Sequence, residues 1–452
     1  MQKVALARQF ADWGLSYRLG QEPAEVRRTA RRAIFDALGV MAAGFAHPKI
    51  KTLAKNLKPG DGPCSTHGHQ KCDSETAALL NGAASHVWDF DDTSYTGIMH
   101  GSAVVFPTVL AMAEETSASQ EDFLAAFIVG SEITYTLADV CTHEHYFRGW
   151  WSTVTIGLIG ATLAAARLLC LSPEQASQAV GMAAAAAGGG KSVFGTDAKA
   201  FLVGTTARQA LTYAHAAQWG LSGPVNAFED PRGFFALLAD RKAKWAEAKS
   251  LGKRWRLAEP GLLFKTSPVC SAAQAAIEQM SVLMSDVGLV PEEIAAIKAE
   301  VPELVHLSLV YPNPKSPQEA QFSLTYALAC AALHGRVRLT DLDESEIHCP
   351  RKAAIMEKVE VQIAPDLSTL EMREKHPEGA RLIIEVVGGK RYQGYCGEAY
   401  GMPKRPLSNQ DLTEKFNHCL EFAKILPSPE FTVNGDLLDL SRKVVQAGQT
   451  YH

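Results

Sequence analysis

The chain has 452 residues, 47% hydrophobic and 21% charged, with 44 Lys and Arg against 49 Asp and Glu for a net charge of -5. Such a chain buries a large core without staples, and its length allows two or three domains. The mildly acidic balance excludes the basic footprint of a nucleic-acid binder, yet leaves room for a local cluster of Lys and His around a small anion.

The N-terminal stretch carries Arg8, Asp12 and Arg18 among its apolar residues, so no signal-peptide core is read there. Apolar residues at helical spacing predict a helix over Glu25–Ala43, with Gly44 as its stop. Further helices are predicted over Ser74–Val87, Ser102–Thr116, Gln120–Val140, Thr155–Leu169, Pro173–Ala187 and Phe201–Trp219. The longest apolar stretch, Thr153–Leu171, is broken by Arg167 and reads as a packed core helix; no membrane span is expected. The abundance of Ala and Gly predicts a dense helical bundle. After about Lys265 the pattern changes. Ile297–Val301, Val359–Ile363, Leu382–Val387 and Arg391–Tyr395 read as strands, with Gly388-Gly389 as a two-residue hairpin turn. Helices over Ala272–Met284 and Glu319–Leu333 intervene, and helical periodicity returns from Leu407, where Ser408 and Asp411 form a near capping box. The expected fold is mainly α: a large, discontinuous all-helical domain (1–264 and 401–452) with a smaller inserted α+β domain (265–400). Nine scattered cysteines without a CxxC read as reduced thiols of a cytoplasmic protein.

The densest polar segment is HVWDFDDTSYTGIMHG, from His86 to Gly101. Asp89, Asp91 and Asp92 crowd together there and resist joint ionisation unless cations or donors attend them; Asp89 and Thr93 share a helical face, and His100 is a candidate acid or base. A capped helix end with solvated carboxylates is the plain alternative. The Gly190-Lys191-Ser192 run lacks the earlier glycine of a phosphate loop, since Ala185 stands there. It reads instead as a bend presenting Lys199 at the head of the next helix, where a substrate carboxylate can pair with it. Lys265, Cys270 and Gln274 cluster at the domain junction. Cys64, His67, His69 and Cys72 are spaced more tightly than zinc modules, and the His143/His145 pair lacks a third ligand nearby, so no metal site is expected. His215, mid-helix, reads as a core or interface histidine.

Taken in order, RRAIFDALGVMAAG, AALLNGAASHVWDFDDT, HGSAVVFPTVLAMAE, GTDAKAFLVGTTARQA, GLSGPVNAFEDPRGF, KTSPVC and EAQFSLTYALACAALHG resemble the MmgE/PrpD family over nearly the whole chain. That family includes 2-methylcitrate dehydratase, cis-aconitate decarboxylase and iminodisuccinate epimerase. The resemblance implies an α+β lid over a helical domain, an active site in the cleft between them, a homodimer, and no cofactor or metal. It also implies a small di- or tricarboxylate substrate handled by proton transfer at carbon. Asp89, Thr93 and His100 match the family's acidic-Thr-His segment, with one extra residue before His100 and HGS in place of HPS. Lys199 and Lys265 match its lysines, and Tyr326 matches a site tyrosine of the decarboxylases. The expected catalytic set is therefore His100, Asp89, Lys199 and Tyr326. Thr93, Asp92, Lys265, Trp151, Gln274 and His145 are expected to bind substrate.

Two family histidines are replaced. Trp151 stands in the GWH motif and Gln274 closes the K-x-x-P-x-C-x-x-x-H motif. Neither replacement transfers protons. His143 or His145 is expected to substitute in space if anything does. The implied activity is a lyase; an epimerase using the same carbanion, or a metabolite-binding member without catalysis, are the alternatives.

Overall fold

A computed structural model of the chain describes residues 4–57, 60–66, 71–239 and 243–447. His67 and His69 lie outside them. The long helices of the first half are Ala24–Phe45, Ser74–His86, Gly101–Glu115, Gln120–Phe147, Gly157–Leu168, Pro173–Ala186 and Ala198–Gln218. They pack around a core so rich in Ala that side chains rarely hold the axes apart. Gly44 does not stop its helix. A Cβ there would lie 1.9 Å from the carbonyl oxygen of Ala84, so the glycine serves a close crossing with the 74–86 helix. Gly204 does the same from the other side: a Cβ would lie 2.2 Å from the carbonyl oxygen of Leu79. The 74–86 helix is thus held tightly between its neighbours, and its C-terminus fixes where the following turn emerges.

The 120–147 helix runs seven residues past its expected end, across a kink at Thr142, where φ is 60°. It carries His145 and Tyr146 inward on the far side of the kink. It is the one described helix long and apolar enough to cross a membrane, but 94% of its apolar window is buried within the protein, as in a core helix.

The four described strands are β1 (Ile294–Val301), β2 (Val359–Ile363), β3 (Ala380–Val386) and β4 (Arg391–Cys396), in the order β2-β1-β3-β4. β2 lies parallel to β1, which requires the long helical crossover between them; β1/β3 and β3/β4 are antiparallel. The hairpin turn is one residue longer than the sequence suggests. Val386 donates to the carbonyl of Lys390, so Val387 joins Gly388 and Gly389 in the loop, and the two glycines take φ of 101° and 83°. The helix Gln274–Val287 covers one face of this sheet. The helix Asn409–Phe422, capped by Ser408 and Asp411, returns to the helical part, where Phe416 stacks on Phe35 at 4.1 Å. All nine thiols are free.

Candidate active site

The 74–86 helix ends at His86, and the chain reverses at Asp89, whose φ of 48° is a left-handed conformation that Asp tolerates better than most residues. The reversal turns Asp89 and Asp91 back under the helix end. Asp91 lies 2.9 Å from Nδ1 of His86. Two residues on, Thr93 forms a two-way backbone bridge with Leu263, donating at 3.0 Å and accepting at 2.8 Å. That bridge brings Lys265, remote in sequence, to the same turn.

Asp89 is the hub. Its Oδ1 lies 2.9 Å from Nζ of Lys199, 3.3 Å from Nζ of Lys265 and 3.6 Å from Nε2 of His100. Lys265 also donates to the main-chain oxygen of Asp89 at 2.5 Å. Burial would push the Asp89 carboxyl up, but Lys199, Lys265 and His100 hold it well below the usual carboxylate range. Burial opposes the charge on Lys265, and Asp89 and Asp91 more than restore it. With Asp89 and Asp91 both ionised, the two carboxylates balance the two ammonium groups of Lys199 and Lys265.

Asp91 attends both imidazoles. Burial raises it, but His86 and His100 hold it far below the ordinary carboxylate value. Nδ1 of His100 faces two groups that can only accept, the main-chain oxygen of Asp92 at 2.9 Å and Asp91 at 3.2 Å, with the Thr93 hydroxyl farther off at 3.4 Å. Nδ1 therefore carries a proton, and Nε2 is the nitrogen free for chemistry. His86 uses the same tautomer. Its Nδ1 donates to Asp91 and its Nε2 contacts the Lys199 ammonium, which has only protons to offer. Burial lowers the His86 imidazole to about 4 against the pull of Asp91, and Lys199 adds to the lowering, so the ring is neutral.

The Lys199 ammonium sits among aromatic faces, with the rings of Trp151 and Phe322 at 5.3 Å and Phe194 at 5.5 Å. Trp151 is 1% exposed and packs 5.6 Å from His86. His100, with 13% of its side chain exposed, is the most accessible member of a cluster in which Lys199, Lys265, His86 and Asp89 are buried. His86, Asp89, Asp91 and His100 offer ligand atoms within 4.8 Å of one another, the one such group among the described residues. The Lys199 ammonium already contacts both Asp89 and His86, however, so the position where those two would share a cation is filled by a side chain.

The structure thus brings His100, Asp89, Thr93, Lys199, Lys265 and Trp151 together. Four expected residues are placed otherwise. The Asp92 side chain is buried, and burial, with Asp36 and Asp91, raises it well above the ordinary value; it is its main-chain oxygen that reaches His100. Gln274 is spent on the loop after Lys265. Its Oε1 accepts from Thr266 and Ser267 N–H at 3.2 Å each and its Nε2 donates to the Ser267 carbonyl at 3.0 Å. It positions Lys265 instead of meeting a ligand. The Tyr326 hydroxyl belongs to a separate buried network, donating to the Asp341 carbonyl and accepting from Lys352 at 3.0 Å. His145 has both nitrogens occupied, by the Leu238 carbonyl at 2.8 Å and Thr155 at 2.7 Å. His143 is exposed and contacts the Tyr95 carbonyl at 2.9 Å. Neither replaces the missing imidazoles; the second imidazole of the cluster is His86, which spacing alone did not single out. Mid-helix His215 pairs with Glu115 at 3.0 Å and stacks on Trp219.

The MmgE/PrpD N-terminal domain model matches residues 8–246 and the MmgE/PrpD C-terminal domain model matches residues 267–427. Among curated proteins, the chain is similar to a cis-aconitate decarboxylase of Homo sapiens, 27% identical over 350 residues, covering 75% of this chain and 71% of that protein. A cis-aconitate decarboxylase of Mus musculus is 25% identical over 409 residues, covering 86% and 81%. The cis-aconitate decarboxylase-like protein oryM of Aspergillus oryzae is 23% identical over 441 residues, covering 90% and 89%.

Proposed function

From the chain's membership of the MmgE/PrpD family, shown by the two domain matches, we propose that it is a cofactor-independent lyase that decarboxylates a cis-aconitate-like acid. The observation that carries this reading is the convergence of Lys199, Lys265 and His100 on one oxygen of Asp89, within 3.6 Å. The ammonium groups of Lys199 and Lys265 receive a substrate carboxylate, and the low-dielectric, aromatic-walled setting strengthens that attraction.

Decarboxylation suits this constellation because it needs one proton donor. The C–C bond breaks, carbon dioxide leaves, and the bonding pair remains on carbon, delocalised toward a neighbouring carboxylate held by a lysine. Nε2 of His100, loaded with a proton from solvent, delivers it to that carbon, and solvent reloads the ring. Asp91 keeps the imidazole oriented. Dehydration needs a base at carbon and an acid at the departing hydroxyl. Epimerisation needs proton carriers on opposite faces. With Trp151 and Gln274 in place of the family's histidines, only His100 among these groups combines a free nitrogen with exposure.

Entry requires the parts to separate. A cavity of about 840 Å³ is lined by Tyr95, Ile98 and His143 from the helical part and by Glu303, Arg373 and Glu374 from the mixed part. His100 does not line it, but Ile98, two residues away, does; entry from this side, with the mixed part moving as a lid, belongs to the proposal. Incubation with cis-aconitate, followed by carbon dioxide release and mass analysis of the product, tests the reading. Carbon dioxide with one equivalent of a dicarboxylate is expected; water loss or gain, or an unchanged acid, would reject it.

A further inference from the structure

Lys191 has no role in the reaction described above, yet its placement is specific. The glycine-rich loop is zipped along the 149–151 segment: Trp151 donates to the Gly189 carbonyl at 3.0 Å, and Lys191 donates to that of Gly149 at 2.9 Å. Gly189 has φ of 127°, and a Cβ there would lie 2.5 Å from Val154, so only glycine lets the loop lie this close. The zipper sets the Lys191 ammonium 3.6 Å from the centre of the Tyr146 ring. Lys191 is half-buried, and among the described residues no carboxylate lies within ion-pairing distance of it. A cation drawn out of water against an aromatic face, without a counter-ion, is an incomplete site for an anion.

The same groups border the Asp89 cluster. Trp151, whose N–H the loop accepts at Gly189, turns its ring to the Lys199 ammonium at 5.3 Å and to His86 at 5.6 Å, so the loop and the cluster share a wall. We propose that Lys191 is a specificity-determining residue of this site, gripping the carboxylate of the acetate arm and so selecting a tricarboxylate over the dicarboxylate that lacks that arm. This rests on the carboxylate-binding reading of Lys199 and Lys265 given above.

Protonation supports it. Burial lowers the Lys191 ammonium to about 8. The titratable groups facing it are Cys270, pushed up to about 12 by burial and by Asp89, and Tyr146, pushed up by burial and Cys270, so neither titrates near Lys191. The grip on that carboxylate weakens as pH rises through about 8.

Isothermal titration of the full chain with cis-aconitate and with maleate, which lacks the acetate arm, tests the proposal, with His100→Gln present throughout, including in the protein otherwise unmodified, so that no acid is consumed. Lys191→Met is expected to weaken cis-aconitate on the order of 10- to 100-fold and leave maleate unchanged, as loss of one charge-assisted contact requires. Lys191→Arg is expected to keep the preference and carry it to pH 9, where the unmodified protein loses it. Equal affinity of Lys191→Met and the unmodified protein for cis-aconitate, or equal weakening of both acids, would overturn the role of Lys191 alone. Failure of the unmodified protein to bind either acid would overturn the carboxylate site itself and Lys191 with it.

Discussion

Asp91 stands 3.2 Å from Nδ1 of His100, so the carboxylate fixes which nitrogen of that ring is free. Asp91→Asn keeps the shape but offers an amide that can donate to Nδ1, favouring the wrong tautomer. A fall in kcat of about 100- to 10,000-fold is expected, comparable to loss of a general acid or base, with KM little changed. Steady-state kinetics of the variant check this; an unaltered kcat would remove Asp91 from the role.

On the proposed reading, Lys199 and Lys265 act on the substrate's charge and not on its proton. Lys265→Met removes a buried cation that Asp89 needs, so it is expected to raise KM for cis-aconitate by about 10-fold or more. It is also expected to destabilise the fold by about 3 kcal/mol or more, because a buried carboxylate loses a partner. Activity and urea midpoints measured together separate the two effects.

Gly204 connects packing to chemistry. The close crossing it permits is what lets Lys199, in the first turn of its helix, reach His86 at the end of the 74–86 helix. Gly204→Ala, stabilising in most helices, is expected here to cost about 1–3 kcal/mol and to lower kcat/KM. A thermal melt showing a gain in stability would contradict the crossing.

How much of this was legible in the chain depends on whether a role lives in a residue or in its partner. The helices, the strands and the meeting of His100, Asp89, Lys199 and Lys265 follow from periodicity and from the family's motif order. His86 was hidden because a histidine in a last helical turn reads as a charge at the helix end. Only the reversal at Asp89 lets its Nδ1 meet Asp91, five residues on. Gln274 stands where the motif has His and Tyr326 matches its motif, but their hydrogen bonds go to Ser267 and to Asp341, and no local pattern shows where a polar side chain is spent. Gly44 was read as a stop because the approach of Ala84 is a tertiary fact.

Acid should loosen the fold through two imidazoles. His47 is lowered from 6.5 to about 4 by burial, and its Nδ1 accepts from the Lys49 N–H at 3.1 Å; His86 is likewise near 4. A histidine with a folded pKa below its unfolded value binds a proton on unfolding, so its contribution is intact above pH 6.5 and is lost as pH falls from there through about 4. For His47 the loss amounts to about 3 kcal/mol. Urea midpoints at pH 7 and 4.5 are expected to lie closer together in His47→Gln than in the unmodified protein.

The central claim is a single proton delivered by His100 to the carbon that has lost carbon dioxide. Turnover of cis-aconitate in deuterium oxide, read by mass spectrometry and proton NMR, tests it most directly. One deuteron per molecule of dicarboxylate is predicted, at the carbon that takes up the electron pair, with product formation lost in His100→Gln. Undiminished turnover by His100→Gln, or a product without deuterium at that carbon, would contradict it.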